Sequence, residues 1–472
     1  MGRVIEANPV TRIEGHAKVR IDLDDAGKVS DASLHVLEFR GFERFVQGMQ
    51  VEVMPTLTTR ICGTCPHAHH LAAAKAVDRV FSVTPPRTAV LLRQLLNCGS
   101  IIHSHAIHFF ALAGPDLFVA RDAPRAERSI LSLVKVDPEL VSNGLKLRSI
   151  GQRIAEAVGG RGTHPVTCVP GGISSPLSEE ARDRLRRQAA EAVDLAQFSM
   201  AVGKAALERA EELVTALPLA VHDVGTTTDG ALDLYEGRLR VIRPDGSQAL
   251  EFDVEAYADL MVEEALANSY AKRVLLRDPD TGLVPYRVGP LARLNCVDRI
   301  DTPRAQAELE ELRERWGRPI VHTVLGHHAR LIELLHHAEK AVALLDDPEI
   351  ASSEIRAPIT AAPGRGIAHV EAPRGVLIHD YDVDEQGLVR SANFVVATQH
   401  NISAINASMK TAAERFLEAG DESLLDGVEF AIRCYDPCLS CSTHQVGEMP
   451  LDVTIVQAGQ PVRRVMRSSC QR

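Results

Sequence analysis

The chain has 472 residues, of which 45% are hydrophobic, 24% charged and 4% aromatic, and it carries a formal net charge of −11. That length and composition describe a globular protein with room for one large domain or several ordinary ones, and exclude a low-complexity or disordered chain. The acidic balance argues against nucleic acid, which recruits basic faces.

Met1 to His16 hold no apolar stretch, so a secretory signal is not expected. Ala17 to Leu23 alternates apolar and polar residues, the period of a half-buried strand, and Asp24-Asp25-Ala26-Gly27 is a turn. Beyond Arg60 the pattern becomes helical. Leu71 to Phe81 and Arg87 to Leu112 are predicted as interior helices, separated by Pro85-Pro86. The second contains Arg93, Asn97, His103, His105 and His108, too many polar groups for a membrane span. A third helix is predicted from Ser178 to Leu217, with Ser178 as its cap, Glu179 and Glu180 at the positive end of its dipole, and Pro218 as its stop. A hairpin of Asp233–Glu236 and Leu239–Ile242 follows, with turns at Glu236-Gly237 and Pro244-Asp245-Gly246. Helices are predicted over 253–267, 303–316 and 327–346. Ala362 to Gly366 reads as loop, Gly375–His379 and Val389–Ala397 as strands, and Asn401–Ala419 as the last helix. The expectation is a helix-rich α+β fold, with a central helical bundle and small sheets at its rim. No linker interrupts it, so residues 1–444 read as one integrated domain.

Nine cysteines make an odd and scattered set, unlike a secreted disulfide framework. Cys98, Cys168, Cys296, Cys434 and Cys470 read as ordinary thiols in a reducing cytoplasm. The other cysteines form two pairs at opposite ends of the chain, Cys62-Gly63-Thr64-Cys65 and Cys438-Leu439-Ser440-Cys441. A two-residue gap lets both sulfurs of a pair face one metal. Three chemistries remain open: a closed zinc site, an iron–sulfur cluster, or a thiolate-bound nickel or iron centre with open positions. Spacing alone favours zinc. The long gap between the pairs weakens zinc, whose ribbons are local, with pairs roughly 15–20 residues apart.

The segments Arg60 to His69 and Asp436 to His444 resemble the paired signatures of nickel–iron hydrogenase large subunits. Arg12-Ile13-Glu14-Gly15-His16, Arg40-Gly41-Phe42-Glu43 and Glu371-Ala372-Pro373-Arg374-Gly375 resemble three further motifs of that family, in the same order. The resemblance implies nickel held by Cys62, Cys65, Cys438 and Cys441. Cys65 and Cys441 would bridge to an iron carrying carbon monoxide and cyanide. Cys438 would take the proton when dihydrogen splits heterolytically, and Glu14 would carry it onward. Arg374 and Pro373 would lie beside the diatomic ligands, with Thr398 at the other cyanide and Asp436 anchoring Arg374. His69 would donate to a bridging sulfur, whereas His67 and His70 read as locally satisfied helix residues. Glu43 and His444 would hold magnesium (or iron). Ser104 departs from the pattern: some family members carry aspartate there, which lightens the anchoring of Arg374 by one carboxylate.

The same resemblance implies an iron–sulfur small subunit, an electron-acceptor module beyond it, nickel-insertion factors, and an endopeptidase that removes residues 445–472 by cutting between His444 and Gln445. The nearest group is soluble and cytoplasmic, of the methyl-viologen-reducing, F420-non-reducing kind. Three other functions compete: a hydrogen sensor, a complex-I-like structural protein that shares the fold, and a zinc-stabilised scaffold.

Overall fold

The protein is described by a computed structural model covering residues 4–39, 41–119, 123–124, 127–443, 451–457 and 460–467, the last two stretches by backbone alone. Three antiparallel strands open the chain: β1 (Val4–Ala7), β2 (Ala17–Leu23) and β3 (Val29–Val36). In β2 every second residue is buried, as its alternation requires.

Four long helices follow: α1 (Pro66–Val80), α2 (Arg87–Ile107), α3 (Pro138–Gly159) and α4 (Glu179–Arg209). Helices α2 and α3 pack backbone against backbone. A Cβ on Gly151 would stand 2.5 Å from the His103 amide nitrogen, and one on Gly99 would stand 2.8 Å from the Gly151 carbonyl oxygen. Glycine alone allows that approach. After Ile107 the expected helix to Leu112 widens into a π-helical turn, His108–Ala113. Pro115 lies just beyond and has no N–H to return to the turn before it. Ser178 caps α4 by accepting from the Ala181 N–H. The helix predicted to run unbroken to Leu217 instead stops at Arg209, where Ala210 (φ −101°, ψ 20°) leaves the helical backbone, and a separate turn Glu211–Ala216 completes it.

The central strands are β4 (His222–Thr228), β5 (Arg238–Ile242) and β6 (Gln248–Phe252). The observed hairpin is β5–β6 about the Pro244-Asp245-Gly246 turn, and the other edge of β5 pairs with β4. Asp233–Glu236 is not a strand, because Asp233 accepts from the Tyr235 and Glu236 N–H groups and closes a turn. The helix expected over 253–267 is also absent. A 3₁₀ turn and a single helical turn lead into β7 (Met261–Leu266), which pairs with β8 (Ser269–Asp278). Cross-strand pairing, including the Glu264–Arg273 ion pair, overrides the helical periodicity there.

Helices α5 (Pro303–Trp316) and α6 (Gly326–Asp346) match the expected ranges, and α6 packs along α4. A three-stranded sheet of β9 (Gly366–Ala372), β10 (Gly375–Val383) and β11 (Val389–Val395) then precedes α7 (Ala397–Phe416) and α8 (Asp421–Arg433). The last strands, β12 (Leu451–Gln457) and β13 (Gln460–Arg467), pair with each other. Among the described residues no helix is long and apolar enough to cross a membrane.

Candidate metal centre

The first cysteine pair sits where a 3₁₀ turn, Thr58–Ile61, gives way to α1. Cys62 is extended and Cys65 immediately precedes Pro66, the first residue of the helix. The second pair begins on a short extended segment, where Cys438 bridges in parallel with Glu14, and ends where Cys441 opens the turn Cys441–Thr443. The two ends of the chain meet here. Cys62 Sγ lies 3.1 Å from Cys438 Sγ, Cys65 Sγ lies 3.2 Å from Cys441 Sγ, and the sulfurs of Cys438 and Cys441 are 2.9 Å apart. All four ligand atoms fall within 4.8 Å of one another and all four residues are buried.

Thiols are weak hydrogen-bonding groups, so packing four of them together without water is poorly compensated unless a soft cation replaces their protons. Burial opposes ionisation of Cys62, yet hydrogen bonds from Cys438, Cys441, Cys65 and Thr64 bring its thiol well below the ordinary range. Burial, reinforced by neighbouring sulfur, pushes Cys438 and Cys441 well above it. The other described cysteines are buried free thiols, with burial raising Cys98 and Cys434 to about 12 and Cys168 to about 11. Cys470 lies outside the described residues.

A small cavity of about 10 Å³ adjoins the sulfurs, lined by Cys65, Cys438, Cys441, His69, Arg374 and Thr398 among others. Cys65 and Cys441, the second cysteine of each pair, face it together with Cys438. Arg374 enters from the β9–β10 connection. Its Nε donates to the Asp436 carbonyl at 2.5 Å and its Nη2 to Asp436 Oδ1 at 3.0 Å, while Nη1 is buried without a protein partner among the described residues. Burial works against this guanidinium, but Asp436 and then the sulfurs hold its pKa well above the ordinary value. Gly289 (φ +98°) makes room for the loop, since a Cβ there would stand 2.8 Å from the Arg374 carbonyl oxygen. Ser104 is buried, with a hydroxyl that has no partner among the described residues, so Arg374 rests on Asp436 without a second carboxylate from that position.

Thr398 opens α7, and its Oγ1 accepts from the Cys438 N–H at 2.9 Å, which leaves its own hydrogen for the cavity. His69 Nε2 is 3.6 Å from Cys441 Sγ, while its Nδ1 meets His379 Nε2 at 3.1 Å and His379 meets the Tyr381 hydroxyl at 2.8 Å. That file of rings fixes the imidazole beside the sulfur. His70 is satisfied by the Pro55 carbonyl and the Cys168 N–H. His67, read as locally satisfied, has no hydrogen-bond partner of ordinary geometry at either ring nitrogen among the described residues, and burial lowers its pKa to about 3.

Glu14 is half-buried, with Ser440 donating to it from both its amide (3.1 Å) and its hydroxyl (2.6 Å). Glu43 is buried and its Oε1 accepts from the Phe394 N–H at 3.0 Å. Nearby, the Gly41 N–H reaches the Thr443 carbonyl at 3.4 Å. His444, the expected partner of Glu43, and Arg40 lie outside the described residues. Pro373 sits between Ala372 and Arg374, and its carbonyl accepts from Arg293 at 3.3 Å. Sequence reasoning missed Arg293, which is wholly buried and also donates to Glu333 and Glu371. It missed Ser440 and His379 as well. The signal for Ser440 was its place inside the second cysteine pair; for His379 there was none.

Residues 40–138 and 254–444 match the nickel-dependent hydrogenase family, and residues 4–39 match a family described as HoxL-like. The chain belongs to the nickel-dependent hydrogenase family. It is 40% identical over 469 residues to the vhc F420-non-reducing hydrogenase protein of Methanococcus voltae, covering 97% of this chain and 99% of that protein. To the NAD-reducing hydrogenase HoxS subunit beta of Cupriavidus necator it is 38% identical, covering 97% and 98%. The crystal structure of an NAD+-reducing NiFe hydrogenase in its H2-reduced state superposes with a TM-score of 0.90 at 39% identity, covering 94% of this chain and 99% of that one. The Ni-Fe-Se hydrogenase of D. vulgaris Hildenborough, at 22% identity and a TM-score of 0.77, shares the fold. The helix-rich α+β fold is therefore that of hydrogenase large subunits, and the chain is the catalytic component of a hydrogenase, an oxidoreductase. These relatives favour catalysis over the sensor and complex-I-like alternatives.

Proposed function

We propose that the chain catalyses the reversible heterolytic cleavage of H2 into protons and electrons. Cys62, Cys65, Cys438 and Cys441 would hold nickel, with Cys65 and Cys441 shared with an iron that carries carbon monoxide and cyanide. Glu43 and His444 would hold magnesium or iron, for which hard oxygen ligation is suited. When bound, the nickel–iron centre polarises dihydrogen and accepts its electrons. The chain's own groups do the rest. Cys438 accepts a proton at Sγ, and Glu14, bridged to the Cys438 backbone, takes it next. Arg374, oriented by Asp436, offers Nη1 to the diatomic ligands, with Pro373 stiffening the loop and Thr398 supplying a hydroxyl. His69 steadies the charge on Cys441.

Among the described residues the four-cysteine group is the one cluster of metal-ligand type. Electrons therefore leave through a partner, an iron–sulfur small subunit, and from it to an acceptor module of the F420-non-reducing type. We place the complex in the cytoplasm. Residues 1–444 act as one domain, and after nickel-insertion factors load the site an endopeptidase removes 445–472. Intact mass of the active protein tests this last step: a mass ending at His444 is expected, and active protein that keeps the tail refutes it.

The meeting of Cys62 with Cys438 and of Cys65 with Cys441, at 3.1 and 3.2 Å, carries this reading. Elemental analysis with infrared spectroscopy of the purified complex tests it. Nickel and iron together with carbonyl and cyanide bands are expected; zinc without such bands would support a scaffold instead.

A further inference from the structure

A row of hydrogen bonds leads outward from Glu14. Ser440 Oγ lies 2.6 Å from Glu14 Oε1 and 3.0 Å from Glu38 Oε2, and Glu38 Oε1 lies 2.7 Å from His16 Nδ1. Exposure climbs along it: Ser440 is buried, the Glu38 side chain is 24% exposed and that of His16 75%. A serine hydroxyl has one hydrogen and two lone pairs, so it can donate to one carboxylate only. When one of the two carboxyls is protonated it can donate to Oγ while Oγ donates to the other. The hydroxyl that joins the two carboxyls can therefore relay a proton from one to the other.

The backbone holds the row in place. The Leu439 N–H donates to the Glu14 carbonyl at 3.1 Å. Gly15 (φ +86°) allows the closure, since a Cβ there would stand 2.8 Å from Leu439 Cβ and 3.4 Å from Glu38 Oε1.

We propose that Glu38 and His16 form the outer limb of the proton path, carrying protons between the Ser440 hydroxyl and solvent. This rests on the reading of Glu14 as the first carboxylate carrier. In the release direction, protonated Glu14 gives its proton from Oε1 to Ser440 Oγ as Ser440 gives its own to Glu38 Oε2. Glu38 turns its protonated oxygen to His16 and protonates Nδ1, and His16 releases a proton from Nε2 to water; return of the Glu38 carboxylate, rotation of the Ser440 hydroxyl and a water-borne tautomer exchange on the exposed His16 ring reset the row. Protons balance at every step and no electron moves.

The test compares two reactions of the intact complex: para–ortho hydrogen conversion, which needs only cleavage and recombination, and exchange of D2 with solvent protons, which needs the path. In E38Q the ratio of exchange to conversion is expected to fall about a hundredfold, within the range for loss of a proton-transfer group. A carboxylic-acid C=O band should also vanish from the reduced-minus-oxidised infrared difference spectrum, with the metal-carbonyl bands unmoved to show an intact centre. H16Q should lose less, and added imidazole should restore it. Retained exchange and an unchanged carboxyl band in E38Q, beside lost exchange in E14Q, would overturn the outer limb and leave Glu14 standing. Retained exchange in E14Q would overturn both.

Discussion

Arg374 uses two nitrogens on Asp436 and keeps the third for the cavity beside the sulfurs. Lysine has charge without the planar fork, and its single nitrogen cannot contact Asp436 at two points and also reach the position of Nη1. R374K is therefore expected to lower the kcat of H2 oxidation by about 10²–10³, the cost of one preorganised donor, with nickel content unchanged; full activity would contradict the role. At this scale the sequence is informative wherever chemistry is local. Paired cysteines with two residues between them announce a metal, and Asp436, two residues before Cys438, stands where the motif pairs it with Arg374. Glu38 was invisible because its role arises from Ser440, 402 residues away. Nothing in the neighbourhood of either residue in the chain signals that contact.

The elements around the site are fixed from behind. Arg293, in the short helix Pro290–Cys296, donates to Glu333 at 2.6 Å and to Glu371 at 2.7 Å, and it grips the carbonyls of Ala372 and Pro373 at 3.0 and 3.3 Å. His105 completes the group through Glu333 at 2.8 Å. All four side chains are buried, so R293A would strand two carboxylates and cost about 3–5 kcal/mol. A clear drop in Tm checks this, and an unchanged Tm would contradict it. G151A is expected to cost about 1–3 kcal/mol through overpacking between α2 and α3, read as a smaller drop in Tm. Helices α1, α2, α4, α5 and α6 were legible from their period and caps, whereas α3, with Gly144 and Gly151 in its interior, was not read from the sequence. Strand β9 was not, because it is buried on both faces and shows no alternation, and β7 was not, because its pairing with β8 decides its state rather than its own periodicity.

The whole molecule is histidine-rich at its centre. Burial lowers the imidazoles of His70, His105 and His328 to about 4, and those of His337, His369 and His400 to about 3, from an ordinary 6.5. Between those values the unfolded chain binds protons that the folded one refuses. Stability is then fully present above pH 6.5 and falls as pH drops from 6.5 towards 4. Tm measured across that window should decline steeply towards acid, and a flat profile would contradict the neutral core.

The closure of the fold is the other property of the whole: the turn before α1 and the segment after α8 bring their sulfurs to one place. Nickel K-edge X-ray absorption on the purified protein probes that meeting directly. A nickel shell dominated by sulfur, losing sulfur in C62S and in C438S alike, is the expected result. A shell of nitrogen and oxygen, or one that changes with only one end of the chain, would contradict it.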